Sequence, residues 1–119
     1  MAREYEKGGE NFTIKPFTPA RLTETLRGVK GKLPEDFDPS DPEQLKKLEV
    51  IGVLHEFIAE QARVCVENWT KDGKPFLSSS PERARAQIMD RPKVAAWIVA
   101  RAKEIAEEED KEFEEQSGN

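Results

Sequence analysis

Apolar side chains along the chain fall into short stretches divided by polar punctuation, and their spacing predicts mostly helix. The first patterned stretch, Asn11-Phe12-Thr13-Ile14-Lys15-Pro16-Phe17, alternates, with Phe12, Ile14 and Pro16 on one side. It reads as one short extended segment, which Pro16 confines to a sheet edge or a non-sheet role. Thr18-Pro19, Asp41-Pro42 and Ser80-Pro81 each set a capping side chain before a proline, and each predicts a helix start. The first opens a helix from Pro19 to about Arg27 that ends at Gly28, with Leu22, Thr25 and Leu26 as its inward stripe. The loop 31–40 is punctuated by Pro34 and Pro39, with Phe37 as its anchor to the core.

The second start opens the longest predicted helix, about 42–69. Leu48, Ile51, His55, Ile58, Ala62, Cys65 and Trp69 recur there at alternating spacings of 3 and 4, with Val50, Leu54, Phe57 and Val64 as a second row. Two rows form an apolar arc wider than a two-helix seam requires. The helix is therefore expected to lie at the centre and to keep apolar surface for another molecule to cover. Gly52 costs about 1 kcal/mol relative to Ala in a helix interior, which a close helix crossing would compensate. Lys71-Asp72-Gly73-Lys74 reads as a turn, followed by the short apolar segment Pro75-Phe76-Leu77. A short helix over 81–89 breaks at Arg91-Pro92, and Pro92 opens a last helix to about 110 with Val94, Ile98, Ala102 and Ile105 inward. The expected fold is mostly α: a small helical domain of about four helices around one long central helix, with one or two short extended segments near the N-terminus. Residues 1–11, polar and containing Gly8-Gly9, are expected to be a flexible arm, residues 12–106 a single helical domain, and residues 107–119 an acidic tail that frays.

Charge sharpens this division. The chain of 119 residues carries a net −5, of which residues 107–119 hold −6 and the remaining 106 residues +1. An acidic tail repels phosphate, so nucleic-acid binding is disfavoured, although Arg83, Arg85, Arg91, Lys93, Arg101 and Lys103 give the last two helices a basic character. No run of about 18 apolar residues is present, and the opening residues lack a secretory pattern, so a soluble intracellular protein with no membrane partner is expected. Asn11-Phe12-Thr13 and Asn68-Trp69-Thr70 are then chance matches to the glycosylation acceptor.

Candidate chemistry is sparse. The single cysteine, Cys65, excludes an intrachain disulfide, and with a single histidine, His55, a zinc site of the His/Cys type is not expected. Ten residues apart on one helix, His55 and Cys65 share a face but stand about 15 Å apart along the axis, too far for a nucleophile–base pair. No phosphate-cradling loop, nucleophile elbow or dinucleotide fingerprint occurs. No enzyme, cofactor or metal is expected. The aromatics Trp69, Phe76 and Trp97 remain as core or as a partner-binding patch.

One resemblance adds to this reading. Val66-Glu67-Asn68-Trp69-Thr70-Lys71-Asp72-Gly73-Lys74-Pro75-Phe76, then Ser80-Pro81-Glu82, then Asp90-Arg91-Pro92-Lys93-Val94-Ala95-Ala96-Trp97-Ile98 resembles the tail assembly chaperones of long-tailed bacteriophages over about residues 41–115. Arg83 stands where the family often has Asn. The resemblance implies a non-enzymatic protein of the host cytoplasm that binds the tape measure protein during tail assembly, with tail tube subunits as a second partner. It also implies absence from the mature virion. Exposed apolar surface on the central helix would serve self-association or a client helix, so a homo-oligomer is expected, with Ile51, Leu54, Ile58, Trp69, Phe76 and Trp97 as the candidate partner-binding residues. Two alternatives stand beside it: a nucleic-acid-associated phage regulator or packaging adaptor using residues 81–103, and a small head–tail structural component.

Overall fold

Two glycine-bearing two-residue turns decide the architecture, because each closes a β-hairpin. In the computed structural model, which describes residues 1–117, Gly8 and Gly9 have φ of 59° and 81°, and Asp72 and Gly73 have 54° and 76°. Positive φ at both central positions is the twist that matches two antiparallel strands. The first turn joins β1 (Arg3–Lys7) to β2 (Glu10–Ile14), and the second joins β3 (Val66–Lys71) to the two-residue β4 (Lys74–Pro75). The strands form one antiparallel sheet in the order β1-β2-β3-β4. Tyr5 faces Phe12 and Phe12 faces Trp69 across the ladders, and a bulge between Thr13 and Ile14 shifts the register so that Ile14 pairs with Val66.

The expectation of a mostly helical domain is therefore corrected: the chain is α+β, with a four-stranded sheet beside five α-helices among the described residues. Residues 3–7, read as part of a flexible arm, are an edge strand. Pro16 does not confine the neighbouring segment to an edge, because β2 ends at Ile14 and lies centrally in the sheet.

Four of the five α-helices among the described residues begin at a proline, and α3 begins at Leu54. α1 spans Pro19–Gly28, α2 Pro42–Val50, α3 Leu54–Cys65, α4 Pro81–Met89 and α5 Pro92–Ser117. Thr18 caps α1 by accepting from the Arg21 amide, and Asp41 caps α2 by accepting from the Glu43 amide. The single long helix over 42–69 is not formed. α2 ends at Val50, and Gly52, just past its cap, has φ of +78°. The Gly52 amide donates to Glu49 O and the Val53 amide to Leu48 O, the paired bonds of a Schellman ending. Val53 and Leu48 then meet in one small apolar cluster, the hydrophobic contact that accompanies this ending. The 3-and-4 spacing runs through the break by coincidence, because Val50 and Ile51 are left 86% and 54% exposed rather than joining an apolar row. At the other end Val66 turns directly from α3 into β3, so Trp69 lies on a strand.

The main core fills the space between one face of the sheet and the helices. Phe12, Ile14, Val66 and Trp69 meet Ile98, Ala102 and Ile105 of α5 and Ala59, Ala62 and Cys65 of α3. A smaller cluster gathers Val29, Leu48 and Phe57 with Leu26, Leu33 and Phe37, and Phe37 meets Phe57 edge-on at 5.5 Å. The opposite sheet face carries Glu4, Glu6, Asn11, Thr13 and Asn68, of which all but Thr13 are exposed. α5 runs on as helix through most of the acidic segment, past the predicted end near 110. Met1 and Arg3 of the edge-strand region form ion pairs with Glu109 and Glu108. Residues 118–119 of that tail lie outside the described residues.

Candidate functional site

α5 is covered by the sheet on one side and by α3 on another, and between α2, α3 and α5 an apolar groove remains open. Its volume is about 330 Å³. Leu45 of α2 forms one wall. Leu54, Phe57 and Ile58 of α3 form the floor with Val99, and Ala96 and Ala100 of α5 form the other wall. The pair Ala96 and Ala100 lies at i,i+4 on a helix, so two small residues stack on one face. Both are exposed, and backbone can approach closely there. A second hollow of about 200 Å³, lined by His55, Ile88, Met89 and Pro92, shares Ile58 and Ala96 with the first. The two together make a strip along α3 and α5.

Polarity in this strip is low and of one sign. Gln61 and Lys103 are the polar side chains of the larger hollow, and His55 is that of the smaller one. Among the described residues no carboxylate lines either hollow, in a chain whose net charge is −5.

The six candidate residues do not form one patch. Leu54 and Ile58 lie in the groove. Ile51 is exposed in the α2–α3 connection but is absent from the groove lining. Trp69 is only 3% exposed and belongs to the core, so it offers nothing to a partner. Its ring packs on Phe12 at 4.9 Å and on Phe76 at 4.6 Å. Trp97 turns to the sheet, edge-on to Tyr5 at 5.7 Å and to Phe12 at 5.1 Å.

No family model, curated protein or solved structure matches the chain.

Sequence reasoning also missed a polar clamp beside Trp69. The Glu10 carboxylate is buried and accepts both Nη atoms of Arg91 at 2.6 Å and the Trp69 indole N–H at 2.9 Å. The Arg91 guanidinium in turn lies 5.4 Å from the Trp69 ring centre and 5.3 Å from that of Phe76. Hydrogen bonding to Arg91 holds the Glu10 carboxyl down to about 2, against burial that pushes the other way, and the same bond raises Arg91. This clamp fastens the start of β2 to the α4–α5 corner. Its two ends are 81 residues apart, and no local pattern links them.

Other charged groups are likewise engaged. Glu60, buried on α3, pairs with Arg63 and with Arg85, whose guanidinium also donates to Gly28 O. Arg101 pairs with Glu104. Arg85, Arg91 and Arg101, half of the basic set read along residues 83–103, thus already face carboxylates of this chain. Burial pushes the Cys65 thiol up to about 11, so it stays protonated at neutral pH. Among the described residues no group of three or more His, Cys, Asp or Glu is placed to hold a metal ion, and no helix is long and apolar enough to cross a membrane.

Proposed function

We propose that this protein is a non-enzymatic assembly chaperone that shields an amphipathic helix of a client protein in the groove between α2, α3 and α5. One observation carries the reading: an apolar strip, contiguous through Ile58 and Ala96 and free of carboxylates, is left open on a small and highly charged protein. An apolar hollow between helices, with few polar groups around it, is a default place for another molecule to bind. The client is the tape measure protein of a long-tailed bacteriophage, whose long apolar helices need cover before the tail is built. This identity rests on the resemblance of residues 41–115 to tail assembly chaperones. Tail tube subunits are a second partner, met through the acidic end of α5. The protein works in the host cytoplasm and is left out of the finished particle.

Co-expression with segments of the tape measure protein tests the reading. A soluble complex is expected with the native chain. Ile58→Glu, which puts a charge on the groove floor, is expected to weaken that complex about tenfold or more, while Ile51→Glu, outside the groove, leaves it within about twofold. A client segment that stays insoluble beside the native chain, or a complex indifferent to Ile58→Glu, sinks the proposal.

A further inference from the structure

The acidic end of α5 and the apolar groove complement each other, yet they lie on the same helix. Lys93 to Ser117 contains neither glycine nor proline, and α5 is continuous over that span. Phe113 therefore stands about 20 Å along the axis from Ala100 in the groove wall. A straight helix cannot bring its own tip back to its own side, so within one molecule the two features never meet.

Phe113 is 71% exposed, the one large apolar side chain in a segment that otherwise bears seven carboxylates and Lys111. Asp110 shares its face at i,i+3, so an apolar knob and an acid are presented together. The groove offers the converse: an apolar floor at Ile58 and Val99, with Lys103 and His55 as its ionisable side chains. Knob to hollow and acid to base, the two surfaces match in both shape class and sign.

We propose that the groove of one copy receives the α5 tip of a second copy, with Phe113 seated between Ile58 and Ala100 and Asp110 beside Lys103. The proposal shares its groove with the reading above and differs in occupant. A client helix entering the groove displaces the second copy's tip, so self-association and client binding exclude each other. If two copies exchange tips, the assembly closes as a dimer; if each tip goes to a new neighbour, it grows as an open chain.

Sedimentation of the full chain over a range of concentrations tests this. The native protein is expected to associate, and Phe113→Glu, an exposed substitution, to weaken association about tenfold or more while leaving the circular dichroism spectrum unchanged. Lys103→Glu is expected to weaken it, and Lys103→Glu with Asp110→Lys to restore it. Under mild oxidation, Ala100→Cys mixed with Phe113→Cys is expected to give the mixed disulfide between copies, since the native Cys65 is buried. A native chain that stays monomeric, association that ignores Phe113→Glu, or a charge swap that fails to rescue overturns the proposal. A monomer that still solubilises the client leaves the chaperone reading standing and removes only this inference. An associating chain that ignores the client does the reverse.

Discussion

The two apolar clusters of this protein are built on different terms. The larger one, between sheet and helices, contains thirteen buried residues among those described and is closed by the Glu10–Arg91–Trp69 clamp. The smaller one has three buried residues, Val29, Leu48 and Phe57, and is completed by half-buried side chains from α1, α2 and the loop before α2. Stability is not uniform across a structure, and elements with few buried apolar contacts open first. α2 therefore belongs to the yielding half and α5 to the firm one. The groove lies on their seam, because Leu45, Leu54 and Phe57 come from the small cluster while Ile58 and Val99 belong to the large one. The groove therefore has one firm wall and one that yields.

Breaking the firm half has the largest expected effect. Arg91→Ala leaves the buried Glu10 carboxylate without its cation. It is expected to lower global stability by about 2–3 kcal/mol in urea unfolding, below the range for fully buried pairs because Arg91 is partly exposed. The same clamp sets an acid response. Glu10 is held near 2 when folded against an ordinary 4.5, so its stabilising share is present above 4.5 and is lost as pH falls toward 2. That share is on the order of 3 kcal/mol. Glu10→Gln is expected to lower stability at pH 7 and to flatten the acid limb of stability against pH. An unchanged limb shows that other carboxylates carry it.

The yielding half responds locally. Phe37→Ala removes the edge-on contact with Phe57 and is expected to cost about 1–2 kcal/mol, since the ring is only half-buried. Hydrogen exchange is expected to quicken in α2 while β2 and β3 keep their protection. Equal loss in both regions contradicts the division into two halves. Gly52→Ala, at φ +78°, is expected to cost about 1 kcal/mol or slightly more through the Schellman ending of α2. Val50→Lys, on a side chain 86% exposed, is expected to change stability by no more than about 0.5 kcal/mol. A loss several times larger means that Val50 is covered, as in the uninterrupted helix that the spacing suggested.

Local signals were legible and distant ones were not. The prolines at 19, 42, 81 and 92 mark true helix starts, because a fixed φ and a missing amide suit the first turn whatever the rest of the chain does. The Gly52 break escaped notice because a glycine inside an apolar period and a glycine ending a helix look alike in sequence. Only the polar Glu49 and exposed Val50–Ile51 around it tell them apart. The sheet was missed for a different reason. Asp72-Gly73 announces a hairpin only to a reader who sees strands on both sides, and Val66–Trp69 continues the helical spacing of α3. Of the groove lining, Leu54 and Ile58 lie on a stretch whose apolar spacing is visible in the sequence. The opposing wall of Ala96 and Ala100, and the clamp from Glu10 to Arg91, depend on how separate elements meet.

The pairing of β2 with β3 carries a consequence for how the chain is made. Glu10–Ile14 finds its hydrogen-bonding neighbour only in Val66–Lys71, and its carboxylate finds Arg91 later still. During synthesis β1 and β2 emerge before β3, and one long edge of their hairpin stays bare until Val66–Lys71 has followed. Contacts this far apart in sequence slow folding and lengthen exposure to aggregation. The charged side chains of Arg3, Glu4, Glu6 and Lys7 along β1 disfavour pairing of its outer edge with foreign strands.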